Sequence, residues 1–180
     1  MAPILHCVRH AQGWHNLSEE NMKTIHDPSL TPLGREQALK LSEVFPNMDQ
    51  IDRAVTSPLR RTIQTAFLGF DDHLRAKGLK VILLPESQET RSKKADTGSE
   101  VWKLQREFGK DRVDVAKVSD GWYSKEGDWA TSSENIKKKA KEVREWVREQ
   151  DCKHLLLVTH GGVSEMSRET RFLNIKLIIT

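Results

Sequence analysis

The segment Leu5-His6-Cys7-Val8-Arg9-His10-Ala11-Gln12-Gly13-Trp14-His15-Asn16 decides how this chain is read. Residues 4–8 form a short apolar run with β-branched ends, the pattern of a buried strand. The run stops on Arg9-His10, side chains suited to hold a phosphate and to attack it. A second run of this kind lies far along the chain: Leu155-Leu156-Leu157-Val158-Thr159 stops on His160-Gly161-Gly162. In open α/β sheets, chemistry collects at the carboxyl ends of strands, where loops open into a crevice. Two strands that each deliver a histidine to such an edge form a constellation.

Between them the chain alternates. Residues 11–30 read as a loop with one helical turn. Thr31-Pro32 signals a helix start, with Thr as N-cap and Pro at the first helical position. Leu33, Ala38, Leu41 and Val44 recur at helical spacing, and Pro46-Asn47 stops the helix. A strand at 52–56 and a helix at 57–68, opened by Ser57-Pro58, follow. Arg60 and Arg61 fall in that helix's first turn, where backbone N–H groups favour an anion. A third strand at 80–84 ends at Pro85 and leads to Glu86 and Glu89. Residues 90–130 lose clear period apart from a helical stretch at 99–108, and read as an excursion over the crevice mouth.

Thr131-Ser132-Ser133-Glu134 offers a capping box for a helix to about residue 150. The charged residues of that helix, Lys139, Lys141, Glu142, Arg144 and Glu145, read as a solvated face. The strand at 154–159 follows, then a helix at 163–172. The order predicts an α/β fold: a mostly parallel central sheet with helices on both faces, in a single domain over residues 1–180.

Composition narrows the function classes. A length of 180 residues suffices for one well-packed core. The net charge of +3 and a pI near 8.9 suit an anionic small substrate. No basic stripe interleaved with aromatics argues for nucleic acid, and no apolar run reaches the roughly 20 residues of a membrane span. Cys7 and Cys152 read as reduced core thiols, and the N-terminus passes from Met-Ala-Pro into a strand; the expectation is a cytoplasmic protein.

Transfer of a phosphoryl group needs cations around the non-bridging oxygens, an in-line nucleophile, and a proton for the departing oxygen. Arg9 and Arg61 can clasp phosphate oxygens in pairs. His10 is the candidate nucleophile, with one ring nitrogen fixed by a backbone carbonyl. His160 is a further donor to the phosphate, and Glu89 supplies the proton. His6, His15, His26, His73 and His154 read as structural, His15 least securely because it lies in the same loop as His10. A metal set of His6, Cys7, His10 and His15 is disfavoured, since adjacent strand residues face opposite ways. Trp102, Trp122 and Trp129 read as packing residues, and Asp96 and Ser99 as candidates for the crevice rim.

Four ordered motifs resemble the histidine phosphatase superfamily, in its phosphoglycerate-mutase-like branch. They are Arg9-His10-Ala11 with Asn16, Leu30 to Ala38, Ser57-Pro58-Leu59-Arg60-Arg61-Thr62 with Thr65-Ala66, and Thr159-His160-Gly161-Gly162. The resemblance implies a three-layer sandwich and a cofactor- and metal-independent phosphatase acting on a small phosphorylated metabolite. His10 would be phosphorylated, and Arg9, Asn16, Arg61, His160 and Gly161 would hold the phosphate. Arg60 falls one position before the matching arginine. Glu89 fits the family's acid best, with Glu86 as runner-up. Two alternatives stay open: a mutase, although Ala11-Gln12-Gly13 departs from the mutase pattern, and a weakly catalytic phosphate-binding protein. Only eighteen residues follow Gly162, so either residues 175–179 form a compressed last strand or the C-terminal end is abnormally shortened.

Overall fold

The computed structural model describes residues 2–161 and the strand at residues 175–178. Gly162 and the helix expected at 163–172 lie outside the described residues. Six parallel strands form one sheet: β1 (Ile4–Arg9), β2 (Arg53–Thr56), β3 (Val81–Leu83), β4 (Val113–Asp114), β5 (His154–Thr159) and β6 (Ile175–Ile178), in the order β4-β3-β2-β5-β1-β6. The helices are α1 (Glu19–Thr24), α2 (Pro32–Val44), α3 (Arg60–Ala76), α4 (Val101–Phe108) and α5 (Ser133–Arg148). No described helix is long and apolar enough to cross a membrane.

Side chains alternate across each strand, so the sheet feeds two cores. Val8, Ala54, Leu156 and Val158 meet Leu41, Ile63, Phe70, Leu74 and Leu104 from α2, α3 and α4. Leu5, Cys7, Val55, Leu155 and Leu157 meet Val143 and Val147 of α5 on the other side. Both central strands are therefore apolar on both faces, and they read as continuous runs.

Several local expectations need correction. In α2 the inward positions are Gly34, Ala38 and Leu41, with Phe45 just beyond the end; Leu33 and Val44 are exposed. Helix α3 begins at Arg60, and its preceding residue, Leu59, provides no side-chain cap. Its first N–H is met from a distance, because Asp27 Oδ1 accepts from Arg60 N at 3.0 Å. The helix also runs past Leu68 to Ala76: Ile63, Ala66, Phe70 and Leu74 keep the buried stripe going, and Gly78 at φ +62° ends it. The two-residue strand β4 lies inside the stretch without clear period, too short to register as a pattern. In α5, Lys139 is buried, and its ammonium donates to the carbonyls of Trp129 and Ala130. Lys141 does face solvent, pairing with Glu145 one turn away.

Of the remaining start signals, Thr31-Pro32 holds, whereas the expected capping box of Thr131 with Glu134 gives way to a cap one residue on, at Ser132. Thr31 Oγ1 accepts from Gly34 N with Pro32 at the first position, and Ser132 Oγ accepts from Asn135 N. The Thr31 to Gln37 segment also braces the loop after His10. Gln12 O accepts from Thr31 N, and Gln12 N donates to Gln37 Oε1.

Candidate active site

Parallel strands put their carboxyl ends on one edge of a sheet, and this edge gathers most of the expected site. Arg9 pairs in register with Thr159, and Thr56 with Val158. His10 and His160 thus leave adjacent strands side by side, with ring centroids 5.1 Å apart in an edge-on arrangement. Arg61 arrives from the first turn of α3, and Glu89 from the turn after β3.

Both imidazoles are buried and have assignable tautomers. His10 Nδ1 lies 2.8 Å from Ala11 O and can only donate to it. Its Nε2 therefore carries the lone pair, which accepts from Arg61 Nε at 3.3 Å. Arg61 Nη2 lies 3.4 Å from His160 Nδ1, which leaves the His160 proton on Nε2, 2.9 Å from Ser57 Oγ. Burial, reinforced by the Arg61 cation, pushes both imidazoles well below the usual histidine range, so both are neutral at neutral pH. A neutral imidazole with one exposed lone pair is what a nucleophile requires.

Arg61 is fully buried and held from behind. Its Nη1 donates to Ala95 O at 2.7 Å and its Nη2 to Asp96 Oδ1 at 3.2 Å. Asp27 accepts from Ser99 Oγ at 2.7 Å and caps the helix that carries Arg61. Asp96 and Ser99 are thus buried supports of Arg61 and of α3, where a place on the rim was expected. Trp122 steadies the same segment: it is fully buried against Gly98 and donates from Nε1 to Ser99 O.

The open cleft, about 270 Å³, is lined by Arg9, His10, His15, Asn16, Glu89, Thr90, Arg91 and Gly161. Arg61 and His160 touch His10 from the inner side and are not among the described residues of the cleft wall. Glu86, the other carboxylate considered, is absent from the wall; Glu89 is on it. Glu89 Oε1 accepts from Thr90 N at 2.9 Å, and Oε2 pairs with Arg91 at 3.3 Å. Lys125, whose ammonium burial pulls down to about 8, donates to Gln88 Oε1 and Glu89 O and fixes this turn. Asn16 Oδ1 accepts from Gly13 N and closes the short 3-10 turn of Trp14–Asn16. A Cβ at Gly161 would sit 3.5 Å from Arg9 Nε, an ordinary contact, so crowding does not explain that glycine.

Two residues of the cleft wall, His15 and Arg91, were not expected here. His15 is a wall residue, buried and 5.4 Å from His10 ring to ring, and burial together with the Arg61, Arg91 and Arg9 cations lowers it to about 3. Its place in the first loop was the only sequence signal. Arg91 stands at the mouth, half exposed. The other histidines have bonds elsewhere: His6 with His154, His26 with Gly98 O, His73 with Ile51 O. Arg60 points away and pairs with Glu107 on the surface. Trp102 is exposed, whereas Trp129 packs partly buried against the core.

Comparison with known proteins bears on this geometry. The family model for the histidine phosphatase superfamily (branch 1) matches residues 5–173. A probable phosphatase of Schizosaccharomyces pombe is 30% identical over 105 residues, covering 58% of this chain and 49% of the relative. A phosphoglycerate mutase-like protein of Arabidopsis thaliana is 38% identical over 89 residues, covering 44% of this chain and 26% of the relative. The matches thus span about half of the one relative and a quarter of the other. Among solved structures, the ecdysone phosphate phosphatase of Bombix mori, in complex with tungstate, superposes with a TM-score of 0.58 at 17% identity, covering 89% of this chain and 73% of that one. This last likeness is one of fold.

Proposed function

Because this chain belongs to the histidine phosphatase superfamily, we propose that it is a metal-independent phosphatase that hydrolyses small phosphomonoesters through a phosphohistidine on His10. The observation that carries the reading is a neutral, buried His10 on the cleft wall, with Nδ1 tied to Ala11 O and Nε2 presenting its lone pair among Arg9, Arg61 and Glu89.

In the first half-reaction His10 Nε2 bonds to phosphorus while the bond from phosphorus to the ester oxygen breaks. The departing oxygen takes its proton from the Glu89 carboxyl group, and the alcohol leaves. Arg61 exchanges its bond to His10 Nε2 for one to a phosphate oxygen, and Arg9 and Asn16 meet the outer oxygens. His160, edge-on to His10, is a further donor to the dianion in the tautomer that carries its proton on Nδ1, which Ser57 Oγ supports by donating to Nε2. In the second half, water attacks phosphorus and gives a proton to the Glu89 carboxylate. The N–P bond breaks, and inorganic phosphate is released from the regenerated histidine. Positioned acid–base help of this kind typically supplies 10²–10⁴-fold.

The test is intact-mass or rapid-quench detection of a covalent phospho-enzyme with phenyl phosphate. The adduct is expected in the wild type and absent in His10→Ala. Undiminished phosphate release by His10→Ala overturns the mechanism. Release of inorganic phosphate without an isomerised ester separates a phosphatase from a mutase.

A further inference from the structure

The cleft has a feature that hydrolysis of a plain phosphate ester does not use. Among the described residues that line it none has a hydrocarbon side chain, and a third arginine stands at the mouth beyond the two assigned to phosphate. That arginine, Arg91, is half exposed, while the carboxylate it holds is almost fully buried. Both oxygens of this carboxylate are engaged: Thr90 N and Oγ1 meet Oε1, and Arg91 Nη2 meets Oε2. A group that must give a proton to the departing alcohol needs one oxygen turned toward it.

We propose that Arg91 selects esters whose alcohol portion carries a second anionic group, and that engaging this group releases Oε2 of Glu89 toward the departing oxygen. This rests on the phosphatase reading above. A half-exposed arginine on a long flexible stem can swing between two acceptors. An anion brought by the substrate replaces the protein carboxylate as its partner, so a cation stays paired in both states. An alcohol without the anion leaves Arg91 on Glu89 and the acid occupied. Binding energy from a part of the substrate remote from phosphorus is thereby spent on assembling the reacting centre. The polar and charged side chains among the described wall residues point the same way, because they offer an anion more partners than they offer an apolar alcohol. A carboxylate and a second phosphate share this chemistry.

The experiment compares matched esters on the full chain: phosphoglycolate and 3-phosphooxypropanoate, ethyl and propyl phosphate, and 1,3-propanediol bisphosphate, scored by inorganic phosphate release. The wild type is expected to favour the acidic esters by about tenfold or more in kcat/KM, the value of one charge-assisted hydrogen bond. The carboxylate and bisphosphate arms show which anion is preferred. In Arg91→Met this preference collapses, and kcat for ethyl phosphate rises, because Glu89 is no longer clasped; Arg91→Lys retains part of the preference. A wild type that turns over all esters alike, or a preference that survives Arg91→Met, overturns the inference and leaves the phosphatase reading standing. Release from none of the esters overturns both.

Discussion

Arg61 Nη2 and Asp96 Oδ1 lie 3.2 Å apart, and neither side chain reaches solvent. The cation beside both site histidines is therefore balanced from inside the protein, on the side away from the cleft. Asp96 Oδ2 has no hydrogen-bond partner among the described residues, and burial raises this carboxyl above its ordinary range, against the pull of Arg61. Removing Asp96 leaves a buried guanidinium without its counter-charge. Asp96→Ala is expected to lose about 3–5 kcal/mol of stability in urea unfolding. Asp96→Asn keeps an acceptor for Nη2 and should lose clearly less; equal losses would argue against the ion pair.

Adjacent arginines should behave in opposite ways. Arg60 meets Glu107 at 2.9 Å on the surface, a pair worth about 0–1 kcal/mol. Arg60→Ala should leave phosphate release within about twofold of wild type, as befits so weak a pair. Arg61→Ala removes a donor aimed at the reacting phosphate, and its kcat should fall by roughly 10²–10³. Similar losses in both would place Arg60 in the site after all.

Acid should destabilise the fold through His15. Its folded-state value is about 3, against the ordinary histidine value of 6.5, so between these limits the unfolded chain binds the proton and the folded chain does not. The contribution is complete above about 6.5 and is lost as pH falls toward 3, with His10 and His160 acting in the same direction. Asp27, Asp96 and Glu86 act oppositely, because burial raises their carboxyls and the folded chain protonates first. The His15 share is therefore read by difference. Urea midpoints of His15→Gln should fall less than those of wild type between pH 7.5 and pH 4.5, the interval in which an unfolded histidine titrates, at roughly 6.5. Parallel curves would refute it.

A methyl group at Gly34 should disturb the site from outside it. A Cβ there would lie 2.0 Å from Gln12 O, a backbone atom two residues past His10. Gly34→Ala is expected to cost about 1–3 kcal/mol and to lower kcat, since the loop that fixes the His10 ring must move. Stability loss with unchanged kcat would show that the loop tolerates the shift.

The sequence made the strand ends legible because both central strands are buried on both faces and end abruptly on charged or histidine residues. Thr31-Pro32 was legible as a cap, and Ser132 to within one residue, because capping is local, within three residues. The Ser57-Pro58 start failed for the opposite reason: the helix begins at Arg60, whose N–H is met by Asp27, thirty-three positions back. The same non-locality hides the depth of Arg61 and the inward turn of Lys139, whose partners are carbonyls of a preceding loop. Leu33 and Val44 mislead because a helix shows a stripe, and which edge of the stripe is buried depends on what packs there.

The linear chain thus determined the parallel α/β alternation and singled out His10, His160, Arg9, Arg61 and Glu89 as site candidates, since periodicity, caps and motif spacing are properties of neighbours in sequence. Only the tertiary structure decided that Arg61 and His160 back His10 from the inner side, that Asp96 counterbalances the guanidinium, that His15 is a wall, and that Arg91 holds Glu89. The Arg61, His160 and Asp96 contacts join elements distant in sequence, fixed by strand order and burial; His15 and Arg91 lie near His10 and Glu89 in the chain, but which way their side chains turn is set by the packing of the loops that carry them.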